Sequence, residues 1–318
     1  MRYVPFGKTG LELSTIGFGA WAIGGKNWGE TDDEISLKAL RAAIEQGVNF
    51  IDTADVYGFG HSEELIARVL KESPDQSIIV ATKAGNDFYF ANEKDDEGYG
   101  PIRQNYDPNY LQYAAEQSMK RIGVDKIDIL QLHSPDLEKL EREEPWNLLR
   151  KLKAEGKIRF AGFSVQSFKE TEQAHLLDLY NEVIDCIQVR YNLLERQAED
   201  ILFKKALKYN IGVIVRIPLL FGFLTGKFDL NSRFDGDDHR KMNLSPDKLK
   251  TYLMNTEKLN HLYENYTDQK KSQVSLRFCI THPACHIAIP GAKTPEQVQE
   301  NCMASDFGPI PPDKIPPI

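Results

Sequence analysis

The sequence predicts a single α/β domain, residues 1–318, folded as a closed (β/α)8 barrel. Three observations carry that expectation. Short β-rich runs alternate eight times with helical segments along the chain. The runs are apolar throughout, as strands buried on both faces of a parallel sheet must be. No linker, low-complexity run or shift of composition divides the 318 residues. An open doubly wound sheet is the rival, but no G-x-G-x-x-G follows an early strand.

Taken in order, Tyr3 to Ser14 reads as a β-hairpin around the turn signal Gly7-Lys8-Thr9-Gly10. Ile16 to Ala20 is the first barrel strand. Thr31-Asp32-Asp33-Glu34 then starts a helix with Ile35, Ala39, Leu40, Ala43 and Ile44 on one face, and Gly47 stops it. Val48 to Asp52 is the next strand. Ser62 followed by Glu63 and Glu64 signals a helix start, and that helix runs to Leu70.

Ser77 to Thr82 is a strand, and Pro108 opens a helix striped with Leu111, Ala115, Met119 and Ile122. Ile127 to Leu132 precedes a helix from about Trp146 to Ala154. Ile158 to Phe163 precedes one from Lys169 to Leu179. Ile184 to Val189 precedes one from Glu199 to Tyr209. Ile211 to Val215 is followed by helical segments near Pro246 to Tyr263 and Lys271 to Ile280. His286 to Ile289 is the last strand, and Thr294-Pro295-Glu296 opens the last helix.

Most units recur at roughly the 30-residue scale of a βαβ unit. Extra chain lies between Ala84 and Asp107, and between Ile217 and Pro246. Both stretches follow strand ends, so both are expected as long loops over the C-terminal mouth of the barrel. The first carries Phe88, Tyr89, Phe90 and Tyr99, suited to an apolar substrate wall. Asn92 to Gly100 within it reads equally well as plain surface loop.

Composition excludes several classes. The formal net charge is -8 with no basic stripe, which argues against nucleic acid or an anionic membrane as partner. No apolar run has the length of a membrane span, and the N-terminus lacks a signal-peptide core. Cys279, His282, Cys285 and His286 cluster in sequence but fit no common zinc spacing. The four cysteines, Cys186, Cys279, Cys285 and Cys302, read as buried thiols in a reducing cytoplasm.

Titratable groups collect where strands end. Asp52 closes one strand, with Tyr57 in the turn beyond; Lys83 and His133 close the next two. Adjacent barrel strands bring all four together. An ammonium beside a tyrosine stabilises its phenolate and is expected to lower its pKa toward working pH. Asp52 holds Lys83 charged, and His133 can donate to the same substrate oxygen. Such a set protonates an oxygen that gains negative charge. None of the four supplies hydride, so a cofactor is implied. A central Lys argues against a metal site, and the absence of G-x-S-x-G against Ser-His-Asp hydrolysis.

These residues resemble the aldo-keto reductases, NAD(P)H-dependent TIM-barrel oxidoreductases, over nearly the whole chain. The D-T-A-x-x-Y-G-x-G-x-S-E motif at Asp52 to Glu63 is the most specific element. The resemblance puts the catalytic tetrad on Asp52, Tyr57, Lys83 and His133. It implies carbonyl reduction with Tyr57 as general acid. It assigns nicotinamide contacts to Ser164, with Val165 where the family has Asn, to Gln188, and to Arg216 where relatives carry a stacking aromatic. Pro218, Leu219, Gly222 and Lys227 match the segment over the pyrophosphate. Gly291, Lys293, Gln297 and Asn301 match the adenosine end.

Lys293 at a helix N-terminus favours a 2′-phosphate, hence NADPH, although Gln297 stands where some relatives have Arg, so NADH is the alternative. Trp21, Phe88 and Tyr89, with Trp28 and Phe221, are candidate substrate walls. The implied partner is a small-molecule carbonyl compound, with no particular oligomeric state marked. A cofactor-binding regulatory subunit of the same fold is the alternative function.

Overall fold

The computed structural model describes residues 1–25, 31–90, 103–234, 236 and 238–317. Trp28, Tyr99 and the stretch Asn92 to Gly100 lie outside the described residues. The hairpin strands β1 (Tyr3–Pro5) and β2 (Glu12–Ser14) pair antiparallel, Tyr3 opposite Ser14. The barrel strands are β3 (Phe18–Gly19), β4 (Phe50–Asp52), β5 (Ile79–Ala84), β6 (Ile127–Leu132), β7 (Ile158–Ser164), β8 (Cys186–Arg190), β9 (Gly212–Arg216) and β10 (Ile287–Ala288).

They form one parallel 8-stranded sheet whose spatial order is their sequence order. The sheet closes on itself. Parallel bridges join Ile16 to Ala288 and Gly19 to Gly291, and Gly17 N–H donates to the Ala288 carbonyl at 2.9 Å.

Helices pack around the sheet: α1 (Asp33–Glu45), α2 (His61–Glu72), α3 (Pro108–Ile122), α4 (Leu137–Leu140), α5 (Glu143–Ala154), α6 (Glu170–Gln173) and α7 (Leu176–Leu179). After them come α8 (Leu202–Lys208), α9 (Arg240–Asn243), α10 (Pro246–Thr256), α11 (Asn260–Glu264), α12 (Lys271–Cys279) and α13 (Pro295–Phe307). Caps fix the longer ones. The side chains of Asp32, Asp107 and Thr294 accept from N–H groups in the first turns of α1, α3 and α13.

Inside the barrel, Phe50, Ile79, Ala81, Ile129, Cys186, Ile214, Ile287 and Ile289 pack with Phe6 and Leu13 of the hairpin. The hairpin thus plugs the N-terminal end and leaves the C-terminal mouth for chemistry. Among the described residues, no helix is long and apolar enough to cross a membrane.

Several expectations need correction. Ile35 is 45% exposed, because it sits in the first turn of α1, beyond the reach of the sheet. The expected helices at 169–179 and 199–209 are each broken, the first into the single turns α6 and α7, whereas the helical segments expected near 246–263 are present as α10, a short 3-10 turn and α11. Apolar spacing reads through such breaks because the buried face continues across them. Ser62 does not cap α2. Gly60, with φ +101°, precedes the helix, and Ser62 Oγ turns inward to the Ala20 carbonyl at 3.1 Å and Thr53 Oγ1 at 2.9 Å.

Candidate active site

The strand register delivers the four titratable groups to one place. Asp52 ends β4, Lys83 lies near the end of β5, and His133 follows β6. Tyr57 opens a tight turn, Tyr57–Gly60, in which Gly58, Phe59 and Gly60 all have positive φ. Only glycine fits at Gly60, because an added Cβ would lie 2.5 Å from Arg121 Cδ. The turn folds Tyr57 back over the strand ends.

Lys83 is fully buried, and its ammonium is saturated. It donates to Asp52 Oδ2 at 2.7 Å, to the Thr53 carbonyl at 2.7 Å and to the Tyr57 oxygen at 3.4 Å. An ammonium only donates, so the Tyr57 oxygen accepts and its own proton is left for another acceptor. Asp52 Oδ1 receives Gln188 Nε2 at 2.6 Å and Gln131 Nε2 at 3.4 Å. Burial pushes Asp52 up and Lys83 down, and their mutual contact opposes both shifts.

The expected lowering of the tyrosine does not hold in this geometry. Burial raises the Tyr57 pKa, the Asp52 charge adds to that, and Arg216 opposes it. Desolvation of the phenolate outweighs any help from a lysine whose charge Asp52 already balances. Tyr57 is therefore a fully protonated donor at neutral pH. His133 is held well below the ordinary histidine range by burial and by the charges of Lys83 and Arg216. Asn86 Nδ2 lies 3.1 Å from His133 Nδ1. An amide nitrogen only donates, so Nδ1 accepts and the ring proton sits on Nε2. The rings of Tyr57 and His133 meet edge to face, 5.9 Å apart.

These groups stand at one end of a cleft of about 630 Å³. Asp52, Tyr57 and His133 line it, as do Ser164, Gln188, Arg216, Pro218, Leu219, Gly222, Lys227, Gly291, Lys293, Gln297 and Asn301. Trp21 and Phe221 line it too, Trp21 stacked on Tyr57 with ring centroids 6.0 Å apart. Phe88 and Tyr89 do not reach it. Tyr89 OH instead receives Arg121 Nη2 at 2.6 Å, and Phe88 packs between Tyr89 and Phe59. The apolar wall expected of them is supplied by Trp21, Val56 and Phe221.

Comparison with known proteins decides the family. The model of the Aldo/keto reductase family matches residues 15–318. The chain belongs to the aldo/keto reductase family. It is similar to the aldo-keto reductase YhdN of Bacillus subtilis, 33% identical over 94% of this chain and 87% of that protein. It is also similar to the NADH-specific methylglyoxal reductase of Escherichia coli, 30% identical over 96% of this chain and 93% of that one. Among solved structures, a glycerol dehydrogenase from Gluconobacter oxydans superposes with a TM-score of 0.81 at 31% identity, covering 98% of this chain and 92% of that one. The chain is an oxidoreductase enzyme of a family that uses nicotinamide cofactors.

The cleft of this reductase fits such a cofactor on its own features. It is long, open at the mouth, and carries polar groups at spaced points from Ser164 to Asn301. Arg216 lines the cleft, and its inaccessible Nε meets no hydrogen-bond partner, an orphaned donor at the wall of the cleft. Beside it, Phe221 and Gly222 both have positive φ in the turn Leu220–Thr225. Arg216 Nη2 donates to the Val165 carbonyl at 3.0 Å and to Ser167 Oγ at 2.9 Å.

Asn86, Gln131, Ser134 and Ser167 were absent from the sequence reading. Asn86 alone had a usable signal: a polar residue three positions past Lys83, at the same strand end.

Proposed function

We propose that this reductase converts an aldehyde or ketone to the alcohol, reversibly, with Tyr57 as the proton donor and NADPH as the preferred cofactor. One observation carries the reading: the Tyr57 oxygen accepts from Lys83 beside a neutral, Nε2-protonated His133, inside the cleft. Ser164 and Gln188 would hold the nicotinamide amide, with Gln188 Oε1 the available atom because Nε2 serves Asp52. The turn around Gly222, with Pro218, Leu219 and Lys227, would hold the pyrophosphate. Gly291, Lys293, Gln297 and Asn301 would hold the adenosine end, near the N-terminus of α13. When bound, the nicotinamide supplies the hydride.

The chain's own part follows. His133 Nε2–H and Tyr57 O–H converge on the carbonyl oxygen and orient it. Tyr57 gives up its proton as charge develops there, and the Lys83 ammonium, already 3.4 Å away, stabilises the phenolate left behind. Asp52 keeps that ammonium charged in a site that otherwise disfavours it. Trp21, Val56 and Phe221 exclude water from one side. The same reading places the chain in a reducing cytoplasm, which suits its four free, buried cysteines.

The test is cofactor oxidation with a panel of small carbonyls, including methylglyoxal and L-glyceraldehyde 3-phosphate because relatives in Escherichia coli are named for reducing them. Tyr57→Phe should lower kcat by roughly a thousandfold with cofactor affinity unchanged, since proton donation is worth about 10²–10⁴ in rate. Undiminished turnover in that variant removes Tyr57 from the role. Titration with NADPH and NADH separately checks the cofactor preference.

A further inference from the structure

The charges at the catalytic end are not all matched. Lys83 is balanced by Asp52, and Arg190 by Glu195, which takes both Nε and Nη2 at 2.6 Å. Arg216, in register beside Arg190, has no such partner. Its hydrogen bonds go to a carbonyl and a hydroxyl, its Nε has none, and no carboxylate among the described residues lies within ion-pairing distance of it. A guanidinium keeps its charge at any working pH. Half-buried Arg216, pushed down only to about 10 by desolvation and by Arg190, is no exception.

We propose that Arg216 makes the cofactor site selective for oxidation state, so that it holds the reduced nicotinamide more tightly than the oxidised one. The inference rests on the reading of the cleft as a nicotinamide site. Hydride transfer requires the ring to lie next to the carbonyl that Tyr57 and His133 hold. The cleft runs past the ends of β7 to β9 and the approach from β10, where Ser164, Gln188, Arg216 and Ile289 line it. The oxidised ring carries a formal positive charge; on taking up a hydride, two electrons and one proton, it becomes neutral. Shape and hydrogen bonds are nearly common to both forms, so charge is what separates them. A fixed cation with no carboxylate in contact, only the more distant charges of Glu170 and Glu195, repels the oxidised ring and is indifferent to the reduced one. The difference expected of two unit charges at close range in protein is on the order of tenfold to a hundredfold in affinity. The 2′-phosphate affects both forms alike, so the ratio is the same question for either cofactor pair.

The experiment measures dissociation constants of reduced and oxidised cofactor by calorimetry or quenching of tryptophan fluorescence, at one pH and salt concentration. The wild type should favour the reduced form by tenfold or more. Arg216→Gln should bring the ratio down about tenfold, whereas Arg216→Lys should keep it. Ser167→Asp tests the same point with Arg216 in place, by setting a carboxylate where the guanidinium now meets Ser167 Oγ; it too should lower the ratio. It remains informative should Arg216→Gln not fold. Binding of both forms with a ratio that neither variant moves overturns the role of Arg216 alone. Failure of the wild type to bind either form overturns the nicotinamide reading, and this inference with it.

Discussion

At the scale of single residues, what was readable in advance was charge type at strand ends. Asp52, Lys83 and His133 stand out because a charged residue closing an apolar strand is rare without a purpose. What was not readable was desolvation, a property of the packed molecule. It reversed the expected sign at Tyr57, and it hid Asp55 altogether. In sequence Asp55 is an ordinary loop carboxylate between Ala54 and Val56. In the fold it is fully buried, and neither carboxyl oxygen meets a hydrogen-bond partner of ordinary geometry. Burial, and then the charge of Glu63, raise its pKa well above the usual range. The native state thus keeps a proton that the unfolded chain releases above about pH 3.9. Stability lost to Asp55 therefore grows as pH rises, by up to about 1.4 kcal/mol per unit until its native pKa is reached. Asp55→Asn cannot titrate. Its stability relative to the wild type should climb between pH 4 and pH 8 in urea unfolding. A flat difference across that range would mean that Asp55 is ionised in the native state.

At the scale of elements, periodicity located α1, α3 and α5 to within a turn, since a long amphipathic run has one reading. It could not locate the contacts between elements. Phe88 and Tyr89 look like substrate wall in sequence, because aromatics on a mouth loop have no other visible employment. In the structure Tyr89 anchors its loop to Arg121 of α3, which also donates from Nε to Glu63 Oε2 of α2 at 2.6 Å. Thr82 of β5 gives Glu63 its second bond, at 2.6 Å. The Glu63 side chain is wholly buried. Arg121 lies flat against Gly60, three residues from Tyr57, so one guanidinium holds two mouth loops in place. Arg121→Met strands a buried carboxylate, which should cost about 3–5 kcal/mol. The double change Glu63→Gln, Arg121→Met should recover most of that in equilibrium unfolding. In both variants kcat should fall while cofactor affinity holds, because the cofactor segments lie on the far side of the barrel. Equal losses in the single and double variants would show that packing against Gly60, and not the ion pair, is what matters.

At the scale of the whole molecule, eight repeats foretold a closed barrel, yet nothing in them foretold how its floor is sealed. The hairpin reads as a separate turn because its plug, Phe6, is one residue whose partners lie 44 and 280 positions away. Phe6 packs against Phe50 and, edge to face at 5.6 Å, against His286. His286 Nδ1 accepts from Val213 N–H at 3.1 Å, tying β9 to the approach of β10, the strand that then meets β3 where the barrel closes. A neutral imidazole has one acceptor nitrogen, so this bond requires His286 uncharged. Burial lowers its pKa, as it does for His133, His282 and His239, the last to about 4. Each is a base that the unfolded chain protonates below about pH 6.5 and the native state does not. The unfolded state then binds more protons, so stability falls as pH drops from about 6.5 toward the lowered native values. His286→Asn isolates one of the four: its Oδ1 can accept from Val213 N–H, and it cannot titrate. The midpoint of thermal unfolding should drop less between pH 7 and pH 5 in this variant than in the wild type. An identical drop would mean that the β9–β10 contact of His286 takes no part in acid sensitivity, and that the other three histidines carry it.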